Sequence, residues 1–390
     1  MGTTTTWVQR RLLPGLAFKA VVIGGGYATG LELVTFFLPS GPVGGIYAML
    51  LATLIWSLVC AATFLFAFHT GSRDYRTFFR HLLGRFWPIY EIAYLLALVL
   101  ILAVFAAAAG AIGKSVFGLP ELAGALALML LIALVSAWGN SAVERLFAYV
   151  SFLLYATYAV FLVLSLTQFG DRIGAAFASG APTAGWALGG LTYAGYNIIG
   201  AIVILPVTRH MLSARDAVAA GLLAGPLAML PALLFFICMV AYYPAVQSEA
   251  LPSDFLLERL ELPWFRILFQ LMIFTALLES GTGGVHAINE RISEAYRTGS
   301  GRELGRSTRF LTTAVLLTGS VFVAGSFGLV ALIADGYRWL AYLFLLIYVA
   351  PLLTIGLWRL GRDRKQGLEA SDIMARDLHA ASPDLGRARD

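Results

Sequence analysis

Residues 24–37 read GGGYATGLELVTFF. Three consecutive glycines, a tyrosine, a fourth glycine and a glutamate interrupt a segment that is otherwise apolar from about residue 15 to residue 38. Each glycine costs a helix about 1 kcal/mol relative to alanine. An unwound turn inside hydrocarbon survives only where protein or water satisfies its freed N–H and C=O groups. The stretch therefore reads as a membrane-crossing helix broken at mid-depth, with backbone groups free to bind a ligand. Close packing of small residues against a neighbouring helix is the competing explanation.

Working outward, the whole chain has the composition of a bilayer protein. Apolar residues make up 59% of 390 positions and charged residues 13%, more oil-facing material than one soluble core of this length buries. Apolar runs long enough to cross about 30 Å of hydrocarbon fall near 15–38, 43–69, 88–113, 120–139, 142–168, 184–209, 215–243, 262–288, 309–333 and 337–359. Basic residues alternate between the connections: Arg73, Arg76, Arg80 and Arg85; Arg209 and Arg215; Arg291, Arg297, Arg302, Arg306 and Arg309; and Arg359, Arg362, Arg364 and Lys365. The positive-inside rule makes these cytoplasmic, with both termini inside, as an even number of spans requires. The net charge of +5 is thus a topology signal and not a sign of nucleic acid. A plasma-membrane location is expected. Cys60 and Cys238 lie within apolar runs and read as small core residues.

A second interrupted stretch supports a repeat. Residues 192–200 read TYAGYNIIG and occupy, in the sixth span, the place that residues 24–30 occupy in the first. Five spans per half force the halves to enter the membrane in opposite senses. Paired interruptions in such halves mark a transporter's binding site. The expected architecture is all-α: ten transmembrane helices in a 5+5 inverted repeat, with helices 1 and 6 broken. Residues 1–14 form a cytoplasmic N-terminus, 15–169 the first repeat, 170–183 an extracellular connection, 184–360 the second repeat, and 361–390 a disordered cytoplasmic tail. Residues 75–86 read as an interfacial helix resting on headgroups, and residues 253–260 as a surface helix over the extracellular mouth.

The string GGGYATGLELVTFF, within ten spans in two halves, resembles the YkvI-like membrane proteins. These belong to the amino acid, polyamine and organocation transporter superfamily, which has the LeuT fold. The resemblance implies that Gly24, Gly25, Gly26 and Tyr27, with Gly195, Tyr196 and Asn197, hold the substrate. It also implies a sodium ion near Gly24, Ser280 and Thr282, since several members bind sodium between spans one and eight. The fifth span lacks the lysine that proton-coupled amino acid members carry there, and the DPGN sequence and span-six methionine of metal-ion carriers are absent.

An ionisable side chain in mid-membrane costs at least about 2.5 kcal/mol on insertion scales and needs a partner, water or a function. Glu279, followed by Ser280 and Thr282, is the candidate for binding a cation, a coupling proton or an amine. Glu32, on the outer half of span one, is a further candidate for ion coupling: it reads either as a carboxylate that lines the entry path or attracts a positively charged solute, or as an exposed vestibule residue with electrostatic influence alone. Glu91 follows Pro88 in the first turn of span three, where capping accounts for it. Lys19 reads as a snorkelling anchor. His286 and Glu290 read as a surface pair, not a metal site.

Together these features describe a secondary transporter, coupled to sodium or protons, of an amino acid or related amine. Thr29 belongs with the broken segment, and Tyr27, Tyr193 and Tyr196 are placed to enclose an apolar or cationic moiety. A non-transporting receptor on the same fold is the alternative. No HExxH, GxSxG or paired intramembrane aspartates suggest an enzyme. No cofactor is expected beyond the coupling ion; the partners are a small solute and the lipid bilayer, and the oligomeric state is left open.

Overall fold

The computed structural model describes residues 5–23, 25–138, 141–300 and 305–362, so all but the first two positions of the expected tail lie outside the described residues. Every regular element described is helical. The first apolar segment forms three short helices, α1 (Leu13–Val22), α2 (Gly25–Ala28) and α3 (Leu31–Phe36). Then come α4 (Gly41–Thr70), the short α5 (Tyr75–Leu83), α6 (Pro88–Phe117), α7 (Glu121–Trp138) and α8 (Ser141–Phe177). The second half contains α9 (Trp186–Asn197), α10 (Ile199–Val203), α11 (Ala214–Val240), α12 (Pro252–Arg259), α13 (Pro263–Ser300), α14 (Arg306–Ala331) and α15 (Tyr337–Phe344).

Local chemistry sets several of these boundaries. Asp74 accepts the Thr77 N–H at the start of α5, and the Ser213 hydroxyl accepts the Asp216 N–H at the start of α11. Gly71 and Gly118 end α4 and α6 in left-handed conformations that a side chain would strain.

Six described helical stretches are long and apolar enough to cross a bilayer: Leu38–Thr70, Pro88–Phe117, Ala156–Phe177, Ala214–Val240, Pro263–Ser293 and Ser307–Arg362. Residues 121–136 form a shorter apolar helix. On α4, Leu50, Leu54 and Leu58 form an exposed stripe one turn apart, as a lipid-facing surface requires.

Packing sorts the helices into two groups. Helix α4 lies extensively on α11, and α1 and α9 pack against this pair. Helices α6, α7, α13 and α14 form the other group. Between lipid-soluble helices, close approach and interhelical hydrogen bonds hold the fold together. The α4–α11 crossing shows both. A Cβ on Gly221 would stand 2.2 Å from the Ala61 nitrogen, one on Gly225 would stand 2.3 Å from Ser57 Oγ, and Ser57 Oγ donates to the Leu222 carbonyl at 3.0 Å. The small α2 packs on α13 and α6, so the break in the first segment lies where the two groups meet.

Several expectations about the connections are corrected. Residues 334–336, expected as a loop, continue the helix as a π-turn; the chain bends instead at Gly328, whose φ of 75° and ψ of 165° only glycine adopts easily. Helix α8 runs to Phe177, well past residue 168. Helix α5 does not merely rest at an interface: Phe78, Phe79 and Leu82 are buried, and Phe79 stacks on Tyr90 at 3.7 Å. Helix α12 is no surface cap, because Pro252 to Leu257 are buried.

Candidate functional site

At the break in the first segment, Ile23 leaves α1 with ψ 70° and Gly30 opens α3 with φ 80°. That left-handed conformation calls for glycine; a Cβ there would also displace the end of the flexible Met239 side chain, whose Cε lies 2.0 Å away. Gly24 lies outside the described residues; Gly25 and Gly26 begin α2. Tyr27 is buried, with its hydroxyl 3.4 Å from that of Tyr158 on α8. Thr29 is buried; its hydroxyl accepts the Leu31 N–H at 3.3 Å, and its carbonyl accepts the Ser253 N–H of α12 at 3.0 Å.

Glu32 is only 5% exposed, not the vestibule residue that its place on the outer half of the segment suggested. Its Oε2 accepts the hydroxyl of Tyr196 at 2.5 Å, which joins α3 to α9. Aromatic rings enclose this joint. Tyr196 stacks on Tyr337 at 4.4 Å, meets Tyr193 edge-on at 5.6 Å and contacts Phe36 at 5.7 Å. Tyr193 is fully buried, and its hydroxyl has no hydrogen-bond partner among the described residues.

The expected break in the sixth segment is a joint and not an unwound turn. Ile198, between α9 and α10, keeps helical dihedrals of −63° and −18°. Gly195 is explained by packing, since a Cβ there would stand 3.0 Å from that of Ala341. The Asn197 amide donates to the Tyr193 carbonyl at 3.2 Å, within its own helix. Trp56 of α4 donates to the Ala194 carbonyl at 3.2 Å, a second bond on an oxygen that already accepts the Ile198 N–H at 3.1 Å.

On α13, Glu279, Ser280 and Thr282 are half-buried. Thr282 donates to the Leu278 carbonyl at 2.7 Å, and Gly281 faces Ile132 of α7. A cavity of about 30 Å³ lies between the first break and α13, lined by Ile23, Tyr27, Ala28, Tyr158, Pro231 and Ala276 among others. Ser280 follows Ala276 by one turn on the same helix face. The structure thus gathers Tyr27, Thr29, Glu32, Tyr193 and Tyr196 about one centre, while Asn197 is engaged within its own helix and Gly195 lies against Ala341.

Charged clusters flank this centre at both ends. At the end where the basic connections lie, Arg11 Nε meets Asp216 at 2.9 Å and Arg10 reaches it at 3.7 Å. There also, Arg291 meets Glu91 at 3.4 Å and lies over the rings of Tyr75 and Tyr94 at 3.7 and 3.5 Å. Glu91 therefore ties α6 to α13 and is more than a helix-end charge. Glu290 pairs with Arg309 at 3.6 Å, a partly exposed contact. At the far end, Arg266 holds Asp254 through Nε and Nη2, each at 2.7 Å, and Gln270 and Ser115 also donate to Asp254.

Sequence reasoning missed Phe36, Tyr158, Ser253 and Tyr337. Nothing distinguishes Phe36 and Tyr158 from the other aromatics in apolar segments; Tyr337, after Asp335 and Gly336, and Ser253, at the start of the expected surface helix, stood at recognisable boundaries.

No family model matches the chain, and no curated protein matches it. Solved structures do. A manganese transporter of Eremococcus coleocola superposes with a TM-score of 0.52 at 16% identity, over 89% of this chain and 78% of that one. The same transporter in complex with an aromatic bis-isothiourea compound gives 0.51 at 16% identity, over the same 89% and 78%. MhsT in complex with L-phenylalanine gives 0.54 at 18% identity, over 86% and 87%. The chain shares its fold with these membrane transporters, as the resemblance to LeuT-like proteins implied.

Proposed function

We propose that the chain is an ion-coupled secondary transporter of a small organic solute, an amino acid or a related amine. In this reading ten crossings form a 5+5 inverted repeat with the basic end cytoplasmic. One helix group rocks against the other about a central site, giving alternating access. The observation that carries the reading is the Glu32–Tyr196 joint. It puts a buried carboxylate, a phenol without a hydrogen-bond partner among the described residues and several ring faces next to the glycine-rich break, where the two helix groups meet.

The donors at this centre fit an ammonium-bearing solute. A carboxylate and aromatic faces attract an organic cation, and freed backbone N–H groups donate to a carboxylate. Phenols and a single carboxylate form a poor set for a transition metal, which prefers several imidazole, thiolate or carboxylate ligands. Coupling by sodium would use Ser280 and Thr282 with the backbone near Gly24; coupling by protons would use Glu32 or Glu279.

A thermal-shift screen of the purified protein tests this. Amino acids, amines and small carboxylates are each presented with sodium or potassium at two pH values. A ligand at 100 times its dissociation constant stabilises the fold by about 2.7 kcal/mol. Stabilisation by an amine-bearing solute that depends on sodium or pH supports the reading. Stabilisation confined to divalent metal ions would replace the organic solute with a metal.

A further inference from the structure

Three carboxylates are buried among the described residues, and they are neutralised in different ways. Asp216 faces Arg10 and Arg11, and Asp254 faces Arg266. Glu32 has the Tyr196 hydroxyl as its hydrogen-bond donor, and among the described residues no cation pairs with it. The ionisable groups near it are the phenols of Tyr27 on its own segment, Tyr193 and Tyr196 on α9, and Tyr337 on α15. Of the other elements packed against α3, α11 contributes the Cys238 thiol. The stretch before α15 carries Asp335, which is paired with Arg338; α12 carries Asp254 and Glu258, both facing Arg266, and Arg259, which donates to the Phe255 carbonyl and lies over the rings of Tyr242 and Phe255.

Resting on the transporter reading above, we infer that Glu32 is a single seat contested by a proton and by the ammonium group of the solute, so that the carrier exchanges an organic amine for protons. A carboxylate withdrawn from water must be neutralised, by a proton or by a bound cation. Protonated Glu32 keeps its hydrogen bond with Tyr196. An arriving ammonium takes the carboxylate, donates to the unpartnered Tyr193 hydroxyl and lies against the faces of Phe36, Tyr193 and Tyr196. The balance is simple: the neutral acid and the ammonium give an ion pair and a free proton. Because the two occupants exclude each other, each crossing carries one or the other, and the outcome is exchange in place of co-transport.

The test uses the purified full-length chain in weak buffer with phenethylamine as probe. The expected result is release of a proton for each amine bound, with affinity falling about tenfold per pH unit on the acid side. Glu32→Gln should lose both the release and the pH dependence, and Tyr196→Phe should keep the release while displacing the pH at which it occurs. Binding without proton release, or release that persists in Glu32→Gln, would overturn the inference. Should Glu32→Gln fail to fold, the wild-type proton count decides alone. Sodium-dependent binding of phenylalanine with no binding of phenethylamine would overturn the exchange and leave the carrier reading intact. Failure of every solute in the wider screen would remove both.

Discussion

The backbone N–H of Ser253, in the first turn of α12, donates to the carbonyl of Thr29 across 3.0 Å. A helix start has N–H groups without helical partners, and a broken segment has carbonyls without them. Each satisfies the other, so α12 is bonded directly to the break in the first segment.

What holds α12 there is the Asp254–Arg266 fork, with both contacts at 2.7 Å. Arg266→Gln leaves a nearly buried carboxylate without its cation and should cost about 3 kcal/mol, seen as a lower melting temperature. Lysine at this position should restore only part of the loss, since it supplies a point charge and not a fork. A cysteine at Thr29 should at the same time react faster with an impermeant thiol reagent added from the far side. An unchanged melting temperature and an unchanged labelling rate would show that apolar contacts alone seat α12.

The Arg11–Asp216 pair should act in the opposite sense. Its arginines are about one-third exposed, so Asp216→Asn should cost only about 1 kcal/mol. The same Thr29→Cys reporter should then label faster from the basic side and slower from the far side. Equal changes from both sides would indicate loosening of the whole fold and not a shift between two states.

Tyr193 offers a trade between stability and binding. Its buried hydroxyl lacks a partner among the described residues, and an unsatisfied buried hydroxyl costs about 1–3 kcal/mol. Tyr193→Phe should therefore leave the empty protein as stable as the parent or more so, while weakening solute binding several-fold in the thermal-shift assay. A variant that melts lower and binds as well as the parent would remove this hydroxyl from the site.

The membrane class, the basic end and the interrupted first segment were legible because hydrophobic length, arginine placement and glycine runs act locally. Partnerships across the chain were not. Glu32 could be read as a costly charge, but its donor Tyr196 stands 164 residues away, and no periodicity joins them. Helices α5 and α12 misled for a related reason: aromatic and basic residues in α5, and apolar and charged residues in α12, suit a lipid headgroup layer or aqueous surface and a neighbouring helix equally well, and only the tertiary fold decides which they meet. Gly195 misled in the other direction, since its smallness serves contact with Ala341 and the backbone there stays helical.

The glycines separate into those that permit packing and those that do not. Gly221→Ala forces a Cβ to 2.2 Å from the backbone of α4 and should cost about 1–3 kcal/mol. Gly319→Ala meets nothing within 4 Å and should be neutral or gain about 0.5–1 kcal/mol, because alanine loses less freedom in a helix. Thermal unfolding of the two variants side by side measures the difference, and equal melting temperatures would contradict the α4–α11 packing described above.

The most direct test of transport is counterflow in proteoliposomes. Vesicles are loaded with an unlabelled solute that stabilised the protein in the thermal-shift screen, and a trace of the radiolabelled solute is added outside. The account predicts transient accumulation of label inside vesicles carrying the parent protein and none with Glu32→Gln or empty vesicles. A protein that binds the solute, inserts correctly and shows no counterflow would contradict the carrier and identify a receptor on a transporter fold.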